Sequence, residues 1–288
     1  MTNSKEYIVT GGNSGIGFEV VKGLLEQPGS NVVMACRDMR TCSIKQAELQ
    51  ALPSTKGSCV CAKLDLEDLN SVRAFAAEQR ARLQKECKTL SVLVNNAGVM
   101  GLANTPDTNA DRHMAINHVG PFLLTKLLLP AMAKGARIVN VASRAHLFGS
   151  LHFDAQGRLD QHPSWWMAQY SRSKLANVLF TAELQQRVGT SQGINCYSVS
   201  PGAVNTPIFS RLPLLSWLAV PLASLVMRTP AHGARTVLYA ALSPELEGKH
   251  VLFLHDEHSQ EPAAAAKDPV LAERLWVYSE TLVAPYLL

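Results

Sequence analysis

Thr10-Gly11-Gly12-Asn13-Ser14-Gly15-Ile16-Gly17 follows a short apolar run and opens a helical pattern. Glycine lets a backbone approach a pyrophosphate closely, and a helix start presents unpaired N–H groups and partial positive charge to it. The spacing here is G-x-x-x-G-x-G rather than G-x-G-x-x-G, and many ordinary turns also need glycine. Its place, strand before and helix after, is what makes the cluster read as a dinucleotide cradle. Gly11, Asn13, Ser14, Gly15, Ile16 and Gly17 are the expected contacts.

The same strand-then-helix rhythm continues outward from the cradle. Continuous apolar runs of strand length predict buried strands at 7–10, 31–35, 58–63, 90–95, 136–142, 194–200 and 250–254. Helical spacing or stop signals predict helices at 15–27, 68–86, 109–134, 166–188, 230–242 and 269–282. Such alternation with short connections implies right-handed crossovers and helices on both faces of a parallel sheet. The expectation is an α/β fold: one doubly wound, Rossmann-type domain over residues 1–288 with about seven parallel strands.

Composition removes several classes of function. The chain has 288 residues, 27 Lys plus Arg against 23 Asp plus Glu, and a charged fraction of only 17 %. A net charge of +4 at this length is no nucleic-acid footprint, so no nucleic-acid partner is expected. No apolar run reaches 18 residues, which argues against a spanning helix. The six cysteines lack zinc spacing and mostly sit in apolar runs, predicting reduced, packed thiols in an intracellular protein. Because residues 1–6 run straight into the first expected strand, no signal peptide is expected. His255-Asp256-Glu257-His258 is the densest histidine cluster; without a second ligand group it reads as a solvated loop, and no metal site is expected.

Two further positions carry chemistry. Arg37 stands just past the second strand, where an acid would bind ribose hydroxyls and an arginine suits a 2′-phosphate, so NADP(H) is the expected cofactor. The alternative is a surface Arg37 paired with Asp38. Tyr170-Ser171-Arg172-Ser173-Lys174 places a phenol and an ammonium on one helix face. A nearby Lys⁺ is expected to lower the Tyr170 pKa toward working pH, fitting it to exchange a proton with a carbonyl or an alcohol. Chance supplies a Y-x-x-x-K match in about one such chain in four, so this motif needs company.

It has company. Gly11 to Gly17, Asn95-Asn96-Ala97-Gly98, Ser143, Tyr170 to Lys174 and Pro201-Gly202 occur in an order that resembles the short-chain dehydrogenase/reductase family over nearly the whole chain. Ala35-Cys36-Arg37-Asp38, Asn117-His118-Val119-Gly120-Pro121-Phe122 and the 27 residues from Ser143 to Tyr170 resemble its retinol dehydrogenase-like branch. Plant and algal chloroplast-envelope and protochlorophyllide reductase-like members are similar in part. The resemblance implies Tyr170 as general acid/base, Ser143 on the substrate oxygen, Lys174 on the nicotinamide ribose as well, and Asn117 on a water-linked proton path. It implies cofactor contacts at Asp65, Leu66, Asn95, Ala97, Gly98, Tyr170, Lys174, Pro201, Gly202, Val204 and Thr206. Asp65 is alternatively a helix cap, Ser143 a turn cap and Asn117 a helix-kink residue.

The expected activity is NADPH-dependent interconversion of an apolar aldehyde or ketone and its alcohol. The alternative is an NADP(H)-sensing or binding protein on the same fold. Trp165-Trp166-Met167, Leu147-Phe148 and Phe153 either line an apolar pocket or cover the core. A substrate lid is expected at about 204–228, and its uncharged stretch 212–227 suggests peripheral membrane contact as an addition. A homodimer is compatible with the resemblance, and the expected location is intracellular, soluble or peripherally membrane-associated.

Overall fold

The computed structural model describes residues 4–102, 111–160, 165–206, 208, 227–249 and 251–287. Eight strands form one sheet: β1 Lys5–Thr10, β2 Ser30–Cys36, β3 Ser58–Lys63, β4 Leu90–Asn95, β5 Met132–Val141, β6 Asn195–Ser200, β7 Phe253–His255 and β8 His258–Ser259. Their order is β3-β2-β1-β4-β5-β6-β7-β8, parallel through β7, with β8 turned back antiparallel. The two-residue β8 is the one strand beyond the seven expected; it is too short to leave an apolar run in the sequence. His255 is also a correction, because it lies buried in β7 rather than in a solvated loop.

Sheet pleating sorts the core. Ile8 faces one layer while Tyr7 and Val9 face the other, the two-residue period of a strand. On one face lie α1 (Gly15–Leu25), α2 (Met39–Gln50) and α7 (Pro230–Leu242), contributing Val20, Leu24, Leu49 and Val237. On the other lie α3 (Leu69–Lys85), α5 (Gly120–Leu128), α6 (Trp166–Gln192) and α8 (Pro269–Val283), where Phe122, Phe180 and Trp276 meet with ring centroids 5.0–6.1 Å apart. The chain runs outward from β1 to β3 and then returns to β4 on the other side of β1. That reversal opens a crevice at the carboxyl ends of β1 and β4, the place where open α/β sheets bind ligands.

Two helices depart from expectation. Helix α2 carries only two buried side chains, Cys42 and Leu49, so no apolar stripe announces it. The expected helix 109–134 is broken: α4 (Arg112–Met114) passes into a π-helical turn, Ala115–Val119, before α5, and the chain leaves the helix at Pro130 to enter β5. Pro121 explains the first break, since it lacks the N–H that an α-helix would send to the Asn117 carbonyl. The thiol expectation is corrected as well. Cys42 and Cys61 are joined by a disulfide, with Cα atoms 6.0 Å apart, because α2 packs its one cysteine onto β3. Their separation of 19 residues gave no pattern to read.

Cys36, Cys59 and Cys196 are buried thiols and Cys87 is an exposed one. In the chain-entropy picture, closing a loop of this length stabilises the fold by about 3 kcal/mol. Unfolding with and without reductant should therefore differ by up to about that amount, and Cys61→Ala should abolish the difference. A reductant effect that persists in Cys61→Ala would assign it elsewhere.

Of the expected lid, only Val204, Asn205, Thr206, Ile208, Met227 and Arg228 are among the described residues; 207 and 209–226, including most of the uncharged stretch, lie outside them. No described helix is long and apolar enough to cross a membrane. Phe148 and Trp165 are 83 % and 62 % exposed, so these two neither cover the core nor line the cavity described next.

Candidate active site

A cavity of about 380 Å³ occupies the crevice, walled by the glycine turn, the ends of β2 and β3, and residues 96–100 after β4. The turn is built for close approach. A Cβ on Gly17 would stand 2.3 Å from the Gly11 carbonyl oxygen and 2.4 Å from Asn96 Nδ2, so no side chain fits there. Thr10 Oγ1 accepts hydrogen bonds from the backbone N–H of Asn96 (3.0 Å) and Ala97 (2.9 Å), tying β1 to the β4 exit beneath the turn. Asn96 Nδ2 donates to the Thr10 carbonyl at 2.8 Å. Ser14 caps α1 in extended conformation, yet its hydroxyl accepts no cap hydrogen bond. A helix start so oriented and a wall without Cβ atoms fit a dinucleotide pyrophosphate.

At the adenosine end, Asp38 and Arg37 have separate fates. The Asp38 carboxylate caps α2, accepting from Arg40 N–H (3.0 Å), Thr41 N–H (3.3 Å) and Thr41 Oγ1 (2.5 Å). The Thr41 hydrogen bonds hold its pKa below the usual carboxylate range. It therefore makes no pair with Arg37. The Arg37 carbonyl accepts from Lys63 Nζ at 2.6 Å, while its guanidinium is exposed on the cavity wall and makes no hydrogen bond or ion pair among the described residues. Asp65 and Leu66 complete this end. The cap of α3 is Asp68, not Asp65, which instead accepts from the Glu67 N–H at 3.1 Å.

The other end brings Ser143, Tyr170, Lys174 and Asn117 together. Ser143 follows β5; its Oγ accepts from Ala145 N–H at 3.1 Å, capping the turn Arg144–Phe148, and shares a hydrogen bond with Tyr170. Lys174 Nζ lies 5.5 Å from the centre of the Tyr170 ring and donates to the Val141 carbonyl at 2.9 Å. One expectation is corrected here. Burial, opposed only by the Ser143 hydrogen bond, pushes the Tyr170 phenol up to about 12 rather than lowering it. Burial acts on Lys174 in the opposite direction, bringing it down to about 8.

Asn117 sits in the π-helical turn. Its side chain accepts from Val99 N–H (2.8 Å) and donates to the Val99 carbonyl (3.0 Å) and to Ser173 Oγ (2.9 Å). It thus pins the β4 exit to α6 at the residue before Lys174. Gly98 joins the two ends of the site: a Cβ there would lie 3.3 Å from Asn117 Oδ1 and 3.4 Å from Lys174 Nζ, and Gly98 also lines the cavity.

The glycine turn, Arg37, Asp65, Leu66, Ala97, Gly98 and Thr206 line the cavity as expected residues, whereas Pro201, Gly202, Val204, Tyr170 and Lys174 are not part of its lining. Asn95 is placed otherwise than expected. Its amide is buried, donating to Thr125 Oγ1 (3.0 Å) and Asn140 Oδ1 (2.8 Å), because strand alternation turns it into the helix layer. Its neighbour Asn96 lines the cavity instead, and the same alternation read from Asn95-Asn96 is the signal that distinguishes the two. Thr10 and Ile116 were without any sequence signal. Among the described residues no group of three His, Cys, Asp or Glu side chains is placed to hold a metal.

Comparison with known proteins bears on the family and the fold. The family model described as short chain dehydrogenase matches residues 5–157. Human "Retinol dehydrogenase 11" is 39 % identical over 276 residues, covering 94 % of this chain and 83 % of that protein. A crystallised protein from Mycobacterium Paratuberculosis superimposes with a TM-score of 0.73 at 30 % identity, covering 97 % of this chain and 93 % of that one. NADPH-bound carbonyl reductase from chicken fatty liver gives a TM-score of 0.63 at 26 % identity, covering 91 % of this chain and 99 % of that one. A model match over more than half the chain, and a relative this similar across nearly all of it, place the protein in the short-chain dehydrogenase family of oxidoreductases.

Proposed function

We propose that the protein is an NADPH-dependent reductase that interconverts an apolar aldehyde or ketone and its alcohol, with Tyr170 as general acid/base. The observation that carries this reading is the junction at Gly98, which lines the cavity and adjoins Lys174 Nζ and Asn117 Oδ1. NADP(H), when bound, supplies the hydride chemistry. Tyr170, still protonated through the neutral range, gives its proton to the substrate oxygen. Ser143 shares a hydrogen bond with that phenol and orients the same oxygen, and the Lys174 charge steadies the phenolate as it forms. Asn117 holds the β4 exit and α6 at fixed spacing, with its carbonyl denied an α-helical partner by Pro121. The name of the retinol dehydrogenase relative and the NADPH-bound carbonyl reductase support an apolar carbonyl substrate and this cofactor. Purified protein given NADPH and a panel of apolar aldehydes should consume the cofactor. No turnover on any of them, with NADPH still bound, would favour a binding protein.

Cofactor choice has its own test. With Asp38 committed to its helix cap, the free Arg37 guanidinium favours a 2′-phosphate through charge-assisted hydrogen bonds. Such a bond predicts kcat/KM for NADPH about 10–150-fold above that for NADH, and near-equal values in Arg37→Ala. Equal efficiency in the wild type would sink the assignment.

A further inference from the structure

The turn between β7 and β8 is made of Asp256 and Glu257, both left-handed, at φ 51° and 63°. A two-residue hairpin turn of this kind is best served by Asn-Gly, since L side chains resist positive φ. Two acids stand there instead, and each meets an arginine. Arg228 Nη1 and Nη2 donate to Asp256 Oδ1 and Oδ2, the second bond at 2.8 Å, and Arg235 Nη2 lies 2.8 Å from Glu257 Oε1. The turn gives up favourable local chemistry and gains two ion pairs.

Arg228 reaches further through its backbone. Its N–H donates to the Ala203 carbonyl (2.8 Å) and its carbonyl accepts from Asn205 N–H (2.9 Å), forming a bridge with Val204. Gly202, at φ 82°, lies under the guanidinium, and an added Cβ would stand 3.0 Å from Arg228 Nη1. Val204 is buried, and with Ile16 of the cradle it crowds the space above Gly233. Two and four residues beyond Val204, Thr206 and Ile208 form part of the cavity wall. His255 reinforces the same corner, its Nδ1 lying 3.1 Å from the Ser200 carbonyl just before Pro201.

We propose that Arg228 and Asp256 are positioning residues: their ion pair clamps 203–205 so that Thr206 and Ile208 stand against the bound cofactor. This rests on the reading that the cavity takes NADP(H). Asp256→Gly is the informative variant, because glycine suits the left-handed turn and removes only the carboxylate. It should fold with an unchanged or raised Tm, weaken NADPH about three- to tenfold in Kd and KM, and change kcat less. Amide exchange at Asn205 and Arg228 should speed up by a similar factor without any cofactor present. Glu257→Gly relieves the same turn and keeps the Arg228 pair, so its Kd should match wild type; Arg228→Lys should fall between. Unchanged NADPH affinity in Asp256→Gly overturns the proposal, whether or not exchange changes. A wild type that binds no NADPH while exchange still responds would instead overturn the cofactor reading and leave the clamp supported.

Discussion

Tyr170→Phe lowers kcat for carbonyl reduction by about 10²–10⁴-fold, the usual contribution of a positioned proton donor, while NADPH binding stays within a factor of about two. Phenylalanine keeps the ring that Lys174 faces at 5.5 Å and removes only the hydroxyl. The loss should therefore appear in kcat and kcat/KM together, the pattern of an interaction made in the transition state. Ser143 would lose a hydrogen-bond partner but keep Ala145 N–H, so the turn Arg144–Phe148 should hold. Turnover and fluorescence titration of NADPH on the same preparation decide the matter. A variant that retains more than about a tenth of wild-type turnover would remove Tyr170 from the proton path.

Much of this site is legible in the chain because its parts are local. A glycine whose added Cβ would stand 2.3 Å from a carbonyl oxygen, or an i, i+4 pair on one helix, is written in consecutive residues. Strand 90–95 and helix 230–242 coincide with the observed Leu90–Asn95 and Pro230–Leu242, since burial makes the former continuous and Pro230 starts the latter; 58–63 keeps its bounds in Ser58–Lys63 but is an edge strand, with Val60 49 % exposed, rather than the buried one expected. What escaped is what depends on packing between distant elements. Helix α2 is held by a disulfide and one leucine, too little for periodicity. Asn95 is claimed by Thr125 and Asn140, side chains 30 and 45 residues away. The Tyr170 pKa follows from how many groups surround the phenol, which spacing to Lys174 cannot reveal.

Lys174 makes the second large prediction, and its two halves point in opposite directions. The residue is only 3 % exposed, and burial brings its pKa down from 10.5 to about 8. The charged form is therefore present below about pH 8 and lost above it. Reduction should be level from pH 6 to about 8 and then decline, approaching tenfold per unit. Tyr170, at about 12, does not titrate in that window. A level rate to pH 10 would remove the Lys174 charge from the mechanism.

The same depression is a stability cost. Between about pH 8 and 10.5 the unfolded chain binds more protons at this site than the folded one, so stability rises with pH through that window. At neutral pH the buried charge disfavours folding by roughly 3 kcal/mol. Lys174→Met removes that charge at similar volume and leaves the Val141 carbonyl with Asn177 Nδ2 at 3.4 Å. The expected outcome is a raised Tm together with a loss of about 10²–10³-fold in kcat, as for other transition-state charge stabilisers. A group kept only for packing would lose stability with activity. Opposite signs in calorimetry and turnover are what a lysine retained for chemistry predicts, and matching signs would refute it.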